Sequence, residues 1–313
     1  MEFCKANTME KIIHLTEVGP RDGFQNIKQP IPTELKIRII DQLIAAGAKN
    51  IEITSMVSPK AIPQMSDAKQ VIAHVLEKHP TITPWVLVPN SRGAQLAVEN
   101  HISHVNYVIS VSPAHNSANI NRTHQQSLDE LAAIRQAHPA LEISLSLATA
   151  FGCPFIGATS TDTLLEMIRF AGDLGIHHIT LCDTIGVANP WQTADLLQRV
   201  SARFPHLDIG LHMHNTHGMA LANMVAGLQN GVTRFETAVG GLGGCPFAPG
   251  AAGNAATEDA VNMFSRMGFD CGISLDALLE VSALIRESIE PALLSSLSRA
   301  RTYREFAFYN PQC

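Results

Sequence analysis

The sequence predicts a (β/α)₈ barrel with extra helices after its eighth strand. Short β-rich segments alternate about eight times with longer helical patterns over roughly 260 residues. This alternation favours parallel strands with right-handed crossovers, and 313 residues suffice to close eight such units into one barrel. An open doubly wound sheet is the alternative, but no Gly-x-Gly-x-x-Gly pattern follows the first predicted strand.

Hydrophobic patterning places the elements in order along the chain. Strands are predicted at 12–17, 50–54, 84–88, 104–110, 141–148, 178–183, 208–213 and 234–238. The clearest helices are predicted at 33–46, 161–174, 191–204 and 220–230, each ending near Gly, Pro or Asn. Residues 112–124, rich in Asn, His and Ser, are expected to form a long loop after the fourth strand.

The chain is expected to form one catalytic domain. The barrel is predicted to occupy residues 10–270, and residues 271–313 form a helical extension that packs on it. Within that extension, residues 275–298 have the pattern of one or two helices. Such helices would pack on the barrel or on a second subunit, so we expect a homodimer.

Composition and charge exclude several classes of protein. The net charge is −6 and no basic block occurs, so neither nucleic acid nor an anionic membrane is an expected partner. No apolar run approaches the roughly 20 residues that span a bilayer, and residues 1–11 lack the apolar segment of a secretion signal. Six cysteines without C-x-x-C spacing indicate reduced thiols, and hence a cytoplasmic protein.

Two histidines of the seventh strand are the sharpest chemical signal. In a strand, residues two apart point to the same face, so His212 and His214 can bind one cation at the mouth of a barrel. Asp22 after the first strand offers a carboxylate, and Asn254 offers an amide oxygen. This ligand set suits Mg²⁺ or Mn²⁺. The alternative is a pair of hydrogen-bonded histidines lining the barrel.

Three charged residues near strand ends are candidates for catalysis or for structural pairing. Arg21 can face charge that develops on a substrate oxygen, or it can pair with a barrel carboxylate. Glu52 lies in an apolar strand and needs a partner, for which Arg21 or a metal-bound water is the obvious choice, and a purely structural buried salt bridge is the alternative. Asp183 can orient a histidine or assist proton transfer, or it can cap the turn before Thr184.

A glycine-rich segment follows the eighth strand. Residues 240–254 contain six glycines and a single cysteine, Cys245. The pattern is typical of a mobile active-site lid, and the alternative is a surface connection. On such a lid, the Cys245 thiol can deliver or accept a proton.

Six ordered motifs lie between residues 17 and 259, and the similarity to a known family that they carry covers roughly residues 10–290. They comprise 17–23 with Gln25 and Asn26, 51–60, 152–154, 183–187, 212–214, and 241–254 followed by 256–259. Together they resemble the hydroxymethylglutaryl-CoA lyase family, within a larger group of metal-dependent barrel lyases and synthases. Asn215, His217 and Cys182 depart from the family pattern beside these motifs, so substrate choice is less firmly indicated than the metal site.

The resemblance implies cleavage of an acyl-CoA, 3-hydroxy-3-methylglutaryl-CoA, to acetyl-CoA and acetoacetate with a divalent cation. It implies four metal ligands: Asp22, His212, His214 and Asn254. It also implies a set of roles around the reacting bond. Arg21 stabilises the enolate oxygen, Cys245 protonates the enolate or closes the lid, Glu52 and Asp183 support positioning and proton traffic, His212 has a second role near the hydroxyl, and Gln25 joins Arg21 in binding substrate.

Other functions stay open. A lyase for a longer branched 3-hydroxyglutaryl-CoA or for citramalyl-CoA would use the same residues. The volume of the substrate pocket would distinguish these substrates, and the sequence does not give that volume. A Claisen-type synthase of the same group usually carries a long C-terminal regulatory region. A zinc hydrolase would be expected to place its H-x-H on the first strand. A metal-binding scaffold without turnover is the non-enzymatic alternative.

Overall fold

Eight parallel strands form a closed barrel in sequence order, with β1 hydrogen-bonded to β8. The computed structural model describes residues 11–244 and 253–300. The strands are β1 (His14–Glu17), β2 (Asn50–Ser55), β3 (Thr83–Leu87), β4 (His104–Ser110), β5 (Glu142–Ala148), β6 (His178–Asp183), β7 (Asp208–Met213) and β8 (Arg234–Thr237). The predicted fold is confirmed, and every predicted strand end lies within two residues of the observed one.

Helices surround the barrel and continue after β8. They are α1 (Thr33–Ala45), α2 (Ala68–Lys78), α3 (Ser91–Glu99), α4 (Pro113–Ile120), α5 (His124–Ala137), α6 (Thr161–Asp173), α7 (Pro190–Arg203), α8 (Ala220–Gln229), α9 (Thr257–Arg266), α10 (Leu275–Ser288) and α11 (Ser296–Arg299). None of the helices in these described ranges is long and apolar enough to cross a membrane.

Successive residues of each strand point alternately outward, toward the surrounding helices, and inward, toward the barrel interior. In β2, Ile51 and Ile53 are buried, and Glu52 between them points to the other side, into the barrel. Burying an isoleucine of this kind contributes about 1.5–3 kcal/mol. The helices approach the wall closely, since a Cβ on Gly227 of α8 would lie 2.5 Å from Cδ1 of Leu211 in β7.

The C-terminal helices pack on the barrel's own helices. Helix α10 lies against α1 and α9. Its N-terminus is joined to the end of α1 by a hydrogen bond from Ser274 N to Ala46 O at 2.7 Å. The division into a barrel and an extension stays a prediction.

The prediction of a long loop at residues 112–124 is wrong, because most of this segment is helical. Ser112 caps α4 by accepting the backbone N–H of His115, and Pro113 occupies the first turn, where its missing N–H costs nothing. Asn121 then ends the helix in the left-handed conformation, with φ of 52°. The helix was not predicted because the segment is polar, and the only sequence signals of the helix are the capping residues at its two ends.

Candidate active site

The segment after β1 bends so that two adjacent charged residues face one cavity. Residues Gly19–Gly23 form a single π-helical turn, in which the amides of Arg21 and Asp22 point to Val18 O at 3.1 and 2.7 Å. Glu17 holds this turn, because its Oε1 accepts the N–H of Gly19 at 2.7 Å and that of Val239 at 3.0 Å. In an extended chain, the two side chains would point to opposite faces.

Three side chains form a buried cluster that can hold a metal ion. Ligand atoms of Asp22, His212 and His214 all lie within 4.8 Å of one another. The two Nε2 atoms of the histidines are 3.1 Å apart, as expected for residues two apart in the extended chain at the end of β7. Burial and the neighbouring His212 lower the pKa of His214 to about 4. A neutral imidazole beside a carboxylate is a suitable cation ligand pair.

Asn254 lies beside this cluster and pairs with His214 in an antiparallel bridge. Its Nδ2 donates to Asp22 Oδ2 at 2.7 Å and to Leu242 O at 2.9 Å. Its Oδ1 is buried and accepts no hydrogen bond within the described ranges, and the same is true of His214 Nδ1. An unpaired buried oxygen next to three potential ligands fits a site built for a cation.

Glu236 orients His212, a contact that the sequence reading missed. Glu236 Oε2 lies 2.8 Å from His212 Nδ1, and Glu236 Oε1 accepts the hydroxyl of Thr180 at 3.0 Å. This pairing leaves His212 Nε2 facing the cluster, as the outer partners of metal-binding histidines commonly do. A signal was present, because Glu236, like Glu52, is an acidic residue within a predicted barrel strand.

Arg21 is held from two sides by carboxylates. Its Nε donates to Glu52 Oε2 at 2.5 Å, and its Nη1 donates to Asp22 Oδ1 at 2.7 Å. Burial opposes the charge, but Glu52 and Asp22 raise the pKa of Arg21, so the guanidinium stays charged. Glu52 therefore has the partner expected of it.

Two further residues, also missed by the sequence reading, fix Glu52. Asn106 Nδ2 donates to Glu52 Oε1 at 3.1 Å, and Ser146 Oγ donates to Asn106 Oδ1 at 2.9 Å. The chain of contacts runs across the barrel interior from β5 through β4 to β2 and ends on Arg21. No local motif marks Asn106 or Ser146.

Asp183 does not join the cluster. Its two carboxylate oxygens accept the backbone N–H groups of Val187 at 3.0 Å and Ala188 at 2.9 Å. This is a capping geometry, and it reaches Val187 and Ala188 in the loop after β6. A direct role in proton transfer stays a prediction.

The cavity above the cluster has a volume of about 620 Å³. Arg21, Asp22, Gln25, His212 and His214 line it, so the structure brings together five of the residues singled out in the sequence. Gln25 Nε2 also donates to Asp22 Oδ1 at 3.2 Å. An apolar wall that includes Val57, Ile62, Leu87 and Val108 faces these polar groups.

Only the two ends of the glycine-rich segment are described, and Cys245 lies outside the described residues. Gly243 shows why the segment needs glycine here. Its φ is +114°, and a Cβ would lie 2.4 Å from Asn254 Nδ2 and 3.3 Å from Asp22 Oδ2. The chain thus passes directly over the cluster.

The barrel and its mouth define a class of protein: a (β/α)₈ protein with a two-histidine, one-carboxylate cation cluster beside a buried arginine. The family model HMGL-like matches residues 12–285. The chain belongs to the HMGL-like family.

Named relatives match over nearly the whole chain. The hydroxymethylglutaryl-CoA lyase of Bacillus subtilis is 42% identical over 287 residues, covering 91% of this chain and 96% of that protein. The (R)-citramalyl-CoA lyase of Chloroflexus aurantiacus is 36% identical, covering 92% and 94%. An HMG-CoA lyase from Acinetobacter baumannii, solved with coenzyme A and 3-methylmalate, superposes with a TM-score of 0.88 at 39% identity, covering 96% and 99%.

Proposed function

We propose that this protein is a carbon–carbon lyase that cleaves 3-hydroxy-3-methylglutaryl-CoA to acetyl-CoA and acetoacetate. The single observation that carries the proposal is the charged Arg21 beside the cluster of Asp22, His212 and His214, in a cavity of about 620 Å³. The named lyase relatives support the same chemistry. Coenzyme A in the Acinetobacter structure supports an acyl-CoA substrate.

The proposed cofactor is Mg²⁺ or Mn²⁺, held by Asp22, His212, His214 and the Oδ1 atom of Asn254. When bound, such an ion polarises substrate oxygens and lowers the pKa of a hydroxyl. The chain's own residues hold the ligand side chains in the orientation that binds the ion. Glu236 takes the Nδ1 side of His212, so the Nε2 lone pair faces the cavity.

Arg21 is proposed to stabilise the departing group. Cleavage breaks the C2–C3 bond: the C3 hydroxyl oxygen loses its proton and becomes the ketone of acetoacetate, and C2 leaves with the electron pair as a thioester enolate. Protonation of C2 then gives acetyl-CoA, so the net transfer is one proton from the C3 hydroxyl to C2. Nε and Nη1 of Arg21 are engaged by Glu52 and Asp22, so Nη2 is the nitrogen assigned to the enolate oxygen. A guanidinium fixed in this way meets charge as it develops.

The remaining roles belong to the same proposal. Gln25 contacts substrate from the cavity wall, and Cys245 protonates the enolate at C2 when the glycine-rich segment closes. His212 also lies near the reacting hydroxyl. Asp183 acts through the loop after β6, which it holds by two backbone hydrogen bonds.

A second candidate, citramalyl-CoA cleavage, is favoured by the Chloroflexus relative. That reaction also breaks a bond next to a hydroxyl-bearing carbon and releases acetyl-CoA. The test is kcat/KM for both CoA esters on the purified protein with Mg²⁺. We expect 3-hydroxy-3-methylglutaryl-CoA to be preferred by at least about tenfold. A reversed preference would transfer the assignment to the citramalyl ester.

A homodimer and a cytoplasmic location complete the proposal. Cys153, Cys182 and Cys271 are free thiols, which agrees with a reducing compartment. Light scattering coupled to gel filtration tests the dimer. A mass of about twice 33.8 kDa is expected. A mass equal to that of one chain would contradict the proposed dimer.

A further inference from the structure

A second group of potential metal ligands lies on the outside of the barrel, between α1 and α2. Asp41 of α1 faces His74 of α2 and His79, the residue that ends α2. The Nε2 atoms of His74 and His79 lie 2.9 and 2.7 Å from the same atom, Asp41 Oδ1. The three side chains are 17–28% exposed, so an ion from solution can reach them.

The end of α2 produces this convergence. Residues five apart on an ideal helix point about 140° away from each other. His79 has φ of −128° and ψ of 63°, so the chain has left the helix there and the ring turns back toward His74. The two ring centroids are 6.3 Å apart, with an angle of 61° between the planes.

Two of the three separations between ligand atoms are close to those of a tetrahedral zinc site, and all three lie within 4.8 Å. Zn–N and Zn–O bonds of about 2.0–2.1 Å place neighbouring ligand atoms about 3.3 Å apart. The observed separations of 2.7 and 2.9 Å require the side chains to open by about half an ångström. Lys78 Nζ donates to the other oxygen, Asp41 Oδ2, at 2.7 Å, which leaves Oδ1 available as the ligand.

We propose that Asp41, His74 and His79 form a binding site for Zn²⁺ or a similar borderline transition-metal ion, with water as the fourth ligand. Nε2 of each ring then binds the ion in place of its contact with Asp41 Oδ1, and any proton that Nε2 carries moves to Nδ1 or is released to water. Two imidazoles with one carboxylate favour Zn²⁺ over Mg²⁺, which prefers oxygen ligands. The ion ties the end of α2 to α1.

The site is independent of the proposed lyase chemistry. The helices of such a barrel run antiparallel to its strands, so the C-terminal end of α2 lies at the opposite end of the barrel from the cavity. We therefore expect variants of this site to keep the Mg²⁺-dependent activity of the unaltered protein.

The test is the zinc content of the purified full chain, stripped with a chelator, incubated with excess Zn²⁺ and passed through a desalting column. We expect the double variant His74→Gln, His79→Gln to hold one zinc ion per chain fewer than the unaltered protein. Asp41→Asn, which preserves side-chain size, should lose the same ion. The matched control His177→Gln, His206→Gln, which removes two exposed histidines, should lose none.

Equal zinc content in the unaltered protein, the double variant and Asp41→Asn would overturn the proposal. Zinc bound at the cavity adds equally to all of these proteins, so it cancels in the comparison. If the lyase assignment failed, only the activity assay would show it, and the difference in zinc content between the unaltered protein and the variants would remain.

Discussion

Arg21, which lines the cavity, forms a buried ion pair with Glu52 of β2, with Arg21 Nε 2.5 Å from Glu52 Oε2. Both side chains are at least nine-tenths buried. A pair of this kind is costly to desolvate, so its value lies in orientation. It directs a permanent cation toward the place where the proposed reaction develops negative charge.

Replacing Arg21 by Gln should lower kcat by at least about 10²–10³-fold, because the donor that meets the enolate is lost. The affinity for the divalent cation should change far less than kcat. Steady-state kinetics and calorimetric titration with Mn²⁺ measure the two quantities. Arg38→Gln, at an exposed position of α1, is the control. A kcat within threefold of the unaltered enzyme would contradict the role.

Replacing Asn106 by Leu should reduce kcat about tenfold and destabilise the fold by about 1–3 kcal/mol, because Glu52 Oε1 loses its buried donor. Ser146→Ala leaves the bond from Asn106 to Glu52 in place, so its effect should be smaller. Kinetics and denaturant unfolding of both variants test this order. If Ser146→Ala were the more damaging change for kcat, Asn106 would not act through Glu52.

Replacing Glu236 by Gln should weaken cation binding about 10–100-fold, since the charged partner of His212 Nδ1 is removed. Calorimetric titration with Mn²⁺ gives the dissociation constant. Glu166→Gln, which alters an exposed carboxylate of α6, should bind as the unaltered protein does. Unchanged affinity in Glu236→Gln would show that His212 does not require this support.

Glu17 predicts a pH dependence of stability. Burial raises the pKa of Glu17 to about 7, although hydrogen bonds from Thr257, Val239 and Gly19 oppose the shift, and nearby Glu258 adds to it. The folded state therefore binds a proton that the unfolded state has released above the ordinary value of 4.5. The stabilising contribution of Glu17 is fully present below pH 4.5 and is lost as the pH rises through about 7.

The measurement is the free energy of unfolding of the metal-free protein at pH 5 to 8, compared with Glu17→Gln. The advantage of the unaltered protein over the variant should shrink as pH rises, by at most about 1.4 kcal/mol per pH unit. A difference that is constant or grows across this range would mean that Glu17 is already ionised in the folded protein at pH 5.

Local sequence was sufficient to predict the barrel and the histidine pair at the end of β7. Period-2 alternation fixes the shared face of His212 and His214, and strand ends must meet at one mouth. The helix α4 was missed, because its signal is a cap at Ser112 within a polar stretch. Glu236 and Asn106 were missed for a different reason. Their roles depend on strand register, which places Glu236 beside His212 and brings Asn106 to Glu52 across the barrel.

The most direct test of the central claim is an end-point assay with 3-hydroxy-3-methylglutaryl-CoA, Mg²⁺ and the purified protein, with and without EDTA. Acetyl-CoA and acetoacetate should form in equal amounts, formation should stop with EDTA, and added Mg²⁺ should restore it. Arg21→Gln should form neither product at a comparable rate. Absence of both products from a folded sample that binds Mn²⁺ would contradict the proposed activity.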